Sequence, residues 1–305
     1  MPRSDGGVGV LSGPARHPLH AALVTIRPHQ WIKNALVFAA VAAAGVLDGD
    51  GVFLRVTVAF VAFCLLASGI YAINDVHDAA EDRRHPRKCH RPVAAGELAP
   101  RTAVVLGIVL VMGGLALCAA IAPLVALTGA AYVALTLSYT VVWRRVPVLD
   151  TVAIAGGFVL RAVAGGTAAP VHLSWWFILV ISCAAVFVAT GKRLAELQRA
   201  QASRAPRRRV LAFYTPTMLR SILLGSGAGA LFAYCVWAFS LPMIGGIAWR
   251  PLSIPPFVIC LLRYQRLALG GEGEAPEELL VSDRIIALGG LTWLVLFALG
   301  VNAAT

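Results

Sequence analysis

The chain has 305 residues, of which 59% are hydrophobic and 13% are charged, and its mean hydropathy is +0.78. Soluble domains carry about 25% charged residues, so this composition excludes a soluble globular domain and indicates a polytopic membrane protein. The net charge of +11 does not indicate a nucleic-acid partner, because the basic residues lie in short connections between apolar segments.

The apolar segments predict an all-α membrane protein with nine transmembrane helices in a single bundle. We expect residues 1–20, which lack the apolar core of a signal peptide, to form a disordered cytoplasmic tail. Residues 21–305 then form one transmembrane helical domain. The nine predicted spans cover residues 34–47, 52–73, 103–122, 124–142, 149–169, 173–190, 219–241, 252–269 and 285–302.

The distribution of basic residues predicts the orientation in the membrane. If nine spans alternate in direction, all but three of the 26 lysine and arginine residues fall on the side of the N-terminal tail. The exceptions are Arg55, Arg161 and Arg250. Basic connections remain on the cytoplasmic side, so we expect a multi-pass protein of the plasma (inner) membrane with its charged clusters facing the cytoplasm.

The first basic residues stand immediately before the first predicted span. Pro28 suits the first turn of a helix. Arg27 precedes it, and Lys33 and Asn34 follow it where the first predicted span begins. These charges have two interpretations: they orient the chain by extending towards the headgroups, or Lys33 and Asn34 face a cavity and contact phosphate.

Three aspartates follow the second predicted span. Asp75, Asp78 and Asp82 have the spacing i, i+3 and i+7, which places them on one helix face. Clustered carboxylates suit Mg²⁺, which takes its remaining ligands from water and substrate phosphates. Lys88 and Arg91 lie just downstream and could hold such a phosphate. The alternative is a solvated loop of mixed charge.

The fifth predicted span contains an intramembrane charge, Arg161. Such a charge is costly and usually faces a cavity or a partner. Asp150 lies eleven residues earlier, about three turns, so both side chains share a helix face. Arg161 therefore either faces substrate or forms a structural ion pair with a carboxylate inside the bundle.

A second charged cluster follows the sixth predicted span. Lys192 and Glu196 are spaced i, i+4 on one helix face, and Arg193 lies between them. Because this cluster lies at the same predicted depth as the aspartates, the two could hold opposite ends of one polyanionic ligand. Two further charged stretches have simpler interpretations: the basic residues 199–209 as a contact for anionic lipid, and the acidic residues 272–278 as a solvated loop.

The pattern Asn74-Asp75-x-x-Asp78-x-x-x-Asp82 in a nine-span chain resembles the UbiA superfamily of intramembrane prenyltransferases. Further motifs resemble its actinobacterial decaprenyl-phosphate phosphoribosyltransferase branch. These motifs are Arg27-Pro28-x-Gln30-Trp31-x-Lys33-Asn34, Tyr71-x-x-Asn74-Asp75, His85-Pro86-x-Lys88-x-x-Arg91-Pro92, Arg161-Ala162-x-Ala164-Gly165-Gly166 and Gly191-Lys192-Arg193-x-Ala195-Glu196-Leu197. Many members of the wider superfamily carry a second aspartate-rich motif after the sixth span, where this chain has Lys192 and Arg193.

The resemblance implies Mg²⁺-dependent transfer of a phosphoribosyl group from phosphoribosyl pyrophosphate to decaprenyl phosphate or another polyprenyl phosphate. The product of that branch feeds the synthesis of cell-wall arabinogalactan. The resemblance assigns catalysis and metal binding to Asp75, Asp78 and Asp82. The predicted substrate-binding residues are Arg27, Lys33, Asn34, Tyr71, Asn74, Lys88, Arg91, Arg161, Lys192, Arg193 and Glu196.

Two rival functions remain open at this level. The first is a prenyltransferase that moves a polyprenyl group from its diphosphate to an aromatic or other acceptor; the basic cluster at Lys192 and Arg193 counts against it. The second is a non-catalytic transporter or lipid-binding protein, which would need charges reaching the far face of the membrane. The sequence is also compatible with a homo-oligomer.

Overall fold

The computed structural model describes residues 17–85, 88–169, 171–203, 211, 213–240 and 247–302, and their regular structure is helical. Of the predicted tail, residues 1–16 lie outside the described residues, whereas Pro18 already begins a helix. Within this part of the chain the α-helices are α1 (Pro18–Ile26), α2 (Ala39–Ala44), α3 (Val52–Asp82), α4 (Pro100–Ile121), α5 (Pro123–Val141), α6 (Leu149–Ala168), α7 (Trp175–Ser203), α8 (Pro216–Ser240), α9 (Trp249–Leu252), α10 (Ile254–Leu269), α11 (Pro276–Ser282) and α12 (Arg284–Asn302).

Seven of the described helices, α3 to α8 and α12, are long and apolar enough to cross a membrane. The nine-span count is therefore not confirmed. The predicted span 34–47 coincides with a 3₁₀ helix, Pro28–Phe38, followed by the short helix α2. The predicted span 252–269 coincides with α10, which has 16 residues. Both segments are shorter than the roughly 20 α-helical residues that a straight crossing requires.

Proline residues and one arginine stabilise the ends of several helices. Pro100 and Pro123 open α4 and α5, where a missing backbone N–H costs nothing. At the end of the bundle away from the aspartates, Arg55 donates hydrogen bonds to the carbonyls of Ala168 (2.8 Å) and Ile121 (3.2 Å). One guanidinium thus satisfies terminal carbonyl groups of two helices, α4 and α6.

Helix α3 forms the centre of the first half of the bundle. Phe63 and Leu66 are fully buried on it and pack in one apolar cluster with Val37 from the 3₁₀ helix. Small residues bring α3 close to α4: a Cβ atom added to Gly69 would lie 2.6 Å from the carbonyl oxygen of Gly107. Close approach through small residues is typical of helix pairs in membranes, and it fixes the direction in which α3 presents its aspartates.

Among the described glycines, Gly165 makes the closest contact with neighbouring backbone, where α6 meets the 3₁₀ helix. A Cβ atom at Gly165 would lie 1.7 Å from the carbonyl oxygen of Val37. We expect Gly165→Ala to lower the free energy of unfolding by about 1–3 kcal/mol or more, because backbone must move to relieve the overlap. Thermal unfolding in detergent measures the change.

Gly225→Ala is the matched control, because a Cβ atom there meets nothing within 4 Å and alanine favours helix. Equal thermal stability of the two variants would show that the chain tolerates separation of α6 from the 3₁₀ helix.

Candidate active site

A cavity of about 710 Å³ lies between α3, α5, α6, α7, the 3₁₀ helix and the α10–α12 connection. Its lining is unusually rich in charge for the interior of a membrane protein. The predicted site residues that line it are Arg27, Lys33, Tyr71, Asn74, Arg161, Lys192, Arg193 and Glu196. The others, Asn34, Asp75, Asp78, Asp82, Lys88 and Arg91, are not part of the lining and lie behind or beside it.

Arg161 lies in the cavity wall with only 6% of its surface exposed. It donates hydrogen bonds to the Asn34 side-chain oxygen (2.7 Å), the Tyr132 hydroxyl (2.7 Å) and the Gly157 carbonyl (2.8 Å). These described partners are all neutral. The alternative interpretation of Arg161, a structural ion pair with a carboxylate inside the bundle, is therefore not seen among the described residues, and the Asn34 side chain contacts this guanidinium directly.

Two of the aspartates share one arginine. The Arg91 Nη1 atom lies 2.6 Å from Asp82 and 3.3 Å from Asp75. Asp75 also accepts a hydrogen bond from Arg27, and the Lys88 Nζ atom lies 3.9 Å from Asp82. The predicted metal-binding residues and the predicted phosphate-binding residues thus contact one another directly.

The third aspartate has a partner that the sequence did not reveal. Asp78 accepts a hydrogen bond of 2.6 Å from Arg144, which lies in a 3₁₀ turn, Trp143–Arg145, after α5. From the sequence alone, the two arginines of this turn are expected only to anchor the chain at the membrane surface. The position of the turn on the same predicted side as the aspartates was the available signal.

Carboxylates are the hard oxygen ligands that Mg²⁺ prefers, so the chemistry of the aspartate side chains fits this ion. In the structure, however, the aspartates contact basic side chains and are not grouped around a metal position. Among the described residues, no group of three His, Cys, Asp or Glu side chains is arranged around a common metal position. Each aspartate is instead paired with a cation. Binding a divalent ion here therefore requires an exchange in which arginines leave the carboxylates.

Asn74 and Tyr71 belong to α3 and form part of the cavity lining. The Asn74 side-chain oxygen accepts a hydrogen bond of 2.9 Å from the Thr140 hydroxyl. The Arg27 guanidinium lies 4.9 Å from the centre of the Tyr71 ring, within the range of a cation–π contact. These contacts hold Asn74 and Tyr71 beside the cavity. They do not involve the Asn74 side-chain NH₂ group or the Tyr71 hydroxyl.

Arg193 is almost completely buried and joins three helices. Its Nε atom lies 2.7 Å from an Asp150 oxygen on α6, in ion-pair contact but without the alignment of a hydrogen bond. It also donates hydrogen bonds to Glu196 (2.6 Å) and to the Tyr139 hydroxyl (3.1 Å). Glu196 thus pairs with Arg193 at i, i+3, and both Glu196 and Lys192 line the cavity from α7.

The acidic segment 272–278 contributes to the cavity, so its prediction as a solvated loop is wrong for Glu277. This side chain is 12% exposed, and its Oε1 atom lies 3.0 Å from Lys33 Nζ. Glu272, Glu274 and Glu278 also line the cavity, and Glu274 pairs with Arg199. Pro276 at the first turn of α11 was the sequence signal for a helix here.

The Lys33–Glu277 pair has shifted acid–base properties. Burial lowers the pKa of Lys33, and the negative charge of Glu277 only partly offsets that effect. For Glu277, burial alone would raise the pKa, but the charge of Lys33 and hydrogen bonding lower it to below the ordinary value. Glu277 is therefore a carboxylate at neutral pH. Of the predicted lipid contact 199–209, residues 204–209 lie outside the described residues.

Comparisons with known proteins identify the fold and its relatives. A family model described as the UbiA prenyltransferase family matches residues 34–282. The decaprenyl-phosphate phosphoribosyltransferase of Corynebacterium glutamicum is 37% identical over 297 residues, which cover 94% of this chain and 89% of that protein. The enzyme of the same name from Mycolicibacterium smegmatis is 38% identical over 295 residues, covering 93% of each chain.

A solved structure has the same helical arrangement. The UbiA homolog from Archaeoglobus fulgidus bound to GPP and Mg²⁺ matches with a TM-score of 0.69 at 17% identity, covering 93% of this chain and 99% of that one. This likeness extends over nearly all of both molecules. The family model, which covers most of the sequence, shows that the chain belongs to the UbiA prenyltransferase family.

Proposed function

We propose that this protein transfers a 5-phosphoribosyl group from phosphoribosyl pyrophosphate to decaprenyl phosphate or another polyprenyl phosphate and releases diphosphate. Relatives at 37% and 38% identity, aligned over more than nine tenths of the chain, bear the name of that activity. We further propose that the reaction depends on Mg²⁺, occurs at the cytoplasmic face of a nine-span protein in the plasma membrane, and supplies precursors of cell-wall arabinogalactan.

The observation that carries the proposal is a group of three cationic side chains that line the cavity. Lys33, Arg161 and Lys192 reach it from three separate segments of the chain. Phosphoribosyl pyrophosphate brings a diphosphate and a 5-phosphate, and the acceptor brings a further phosphate. Prenyl transfer to an aromatic acceptor brings only one diphosphate, so it leaves less for these cations to bind. The presence of these three cations therefore favours the phosphoribosyl reaction.

In the proposed reaction, the bond between ribose C1 and the diphosphate oxygen breaks, and the acceptor phosphate oxygen forms the new bond to C1. Asp78 and Asp82, with Asp75, would hold Mg²⁺, which supplies charge neutralisation for the departing diphosphate. Arg27, Arg91 and Lys88 would then turn from the carboxylates to phosphate oxygens.

The remaining residues position the substrates. Tyr71 and Asn74 face the donor from α3, and Lys33, Lys192 and Arg193 hold anionic groups of the donor or acceptor. A phosphate monoester is already anionic near neutral pH. The acceptor oxygen therefore needs no strong general base, and the protein contributes mainly orientation and positive potential.

Isolated membranes containing the protein, incubated with ribose-labelled phosphoribosyl pyrophosphate and a polyprenyl phosphate, test the proposal. We expect label in the lipid extract only when both substrates are present. A prenylated aromatic product from a polyprenyl diphosphate, without a ribosyl lipid, would instead identify a prenyltransferase. Absence of both products would contradict the phosphoribosyl reaction.

Lys192 lines the cavity from α7 and offers a test of the cationic lining. We expect Lys192→Ala to lower kcat/KM for phosphoribosyl pyrophosphate at least about tenfold, because one charge-assisted contact to phosphate is lost. Initial rates of labelled lipid formation measure this change. Arg101→Ala is the control, since Arg101 is an exposed cation at the start of α4. Equal rates in the two variants would reduce Lys192 to a charge that orients the helix.

A further inference from the structure

Glu277 is an acidic side chain among cations that the proposed function assigns to phosphates. It reaches the cavity from α11, and its Oε1 atom contacts Lys33 at 3.0 Å. Lys192 lies close enough for its charge to help lower the pKa of Glu277. A carboxylate in this position repels incoming phosphate groups, so an acidic residue here needs a separate explanation.

The second carboxylate oxygen of Glu277 supplies that explanation. The Oε2 atom is buried, and no donor from the described residues reaches it with hydrogen-bond geometry. A buried oxygen of an ionised carboxylate without a donor is costly, because its interactions with water are lost and not replaced. The side chain is held beside the cavity by Lys33, so a bound molecule could provide the missing donor after a small side-chain movement.

The chemistry of the proposed donor limits which of its groups can fill that role. Ionised phosphate and diphosphate oxygens accept hydrogen bonds and have no proton to give. The 2- and 3-hydroxyls of the ribose are the donors on this molecule, and carboxylates commonly bind ribose hydroxyls in nucleotide sites. We infer that Glu277 accepts a hydrogen bond from a ribose hydroxyl of the phosphoribosyl donor and thereby determines specificity for ribose.

This inference rests on the proposed phosphoribosyl transfer, and it assigns different parts of the donor to different side chains of the cavity. Lys33 and Lys192 attract the phosphates on either side, and their charges offset the repulsion between Glu277 and the donor. Glu277 distinguishes a sugar that carries hydroxyls from one that lacks them. A site built to bind a hydroxyl discriminates strongly against analogues without it, because its polar group is then left unpaired.

Donor specificity of the full-length protein in membranes tests the inference. Rates of lipid labelling are compared for phosphoribosyl pyrophosphate and for its 2-deoxy and 3-deoxy analogues. We expect wild-type protein to prefer the natural donor over at least one analogue by about tenfold or more. In Glu277→Ala, which removes the acceptor oxygens, kcat/KM for the natural donor falls and the preference contracts towards equality. Asp50→Ala removes an exposed carboxylate before α3; it is the matched control and keeps the wild-type preference.

The outcomes separate the inference from the function on which it rests. A wild-type protein that labels lipid but uses both deoxy analogues as well as the natural donor overturns the role of Glu277, whatever the stability of the variant. An unchanged preference in Glu277→Ala also overturns it and leaves the phosphoribosyl reaction intact. A wild-type protein that labels no lipid with any donor overturns both.

Discussion

Asp78→Asn is expected to lower phosphoribosyl transfer by about 10²–10³-fold while leaving membrane insertion intact. The asparagine keeps the shape of the side chain but removes the negative charge that would hold Mg²⁺ against the departing diphosphate. Asp82→Asn is expected to have an effect of the same order. Initial rates of labelled lipid formation, normalised to the amount of inserted protein, measure both changes.

Glu81→Gln is the matched control for the aspartate variants. Glu81 lies on the same helix between the two aspartates, but its side chain is exposed. We expect this variant to retain most of the activity. Asp78 is the cleaner test because it is partly exposed, whereas Asp82 is buried against Arg91 and its loss also disturbs that contact. Near-normal rates in both aspartate variants would remove the metal assignment.

Asp150→Ala is expected to produce the largest loss of stability, about 3–5 kcal/mol in the free energy of unfolding. Asp150 is fully buried on α6 and Arg193 is 1% exposed on α7. Removing the aspartate leaves the guanidinium with less opposing charge in a low-dielectric interior. Thermal unfolding in detergent measures the loss, and activity should fall with it because Arg193 also lines the cavity.

Tyr214→Phe is the control for this ion pair. The Tyr214 hydroxyl donates a hydrogen bond to Asp150, so its removal leaves both charges in place and costs about 1 kcal/mol. If Asp150→Ala lowered the free energy of unfolding no more than Tyr214→Phe does, the ion pair between Asp150 and Arg193 would not be a major contribution to the packing of α6 against α7.

The long apolar runs made most of the fold predictable. Helices α3 to α8 and α12 agree with predicted spans because some twenty consecutive apolar residues have few alternatives to a membrane helix. The segments 34–47 and 252–269 have shorter apolar runs, and they form, respectively, a 3₁₀ helix followed by α2, and the 16-residue helix α10. Tertiary packing, which cannot be deduced from the apolar pattern, decides that the segment 34–47 begins within a 3₁₀ helix.

The pairing of charges was much less predictable than their location. On α7, Glu196 can reach either Lys192 at i, i+4 or Arg193 at i, i+3, and local sequence does not choose between them. Asp150 and Tyr139 on neighbouring helices hold Arg193 in place, so the choice depends on contacts distant in sequence. The contact between Lys33 and Glu277 joins opposite ends of the chain and could not be inferred from spacing.

The surroundings of Arg161 have a consequence for the whole cavity. Its described hydrogen-bond partners, Asn34, Tyr132 and the Gly157 carbonyl, have no formal charge. The side chain thus places a positive charge deep in the bundle without a charged hydrogen-bond partner among the described residues. Because salt screens a buried charge less than an exposed one, its attraction for anionic metabolites should persist at ionic strengths that weaken the attraction of the exposed basic residues.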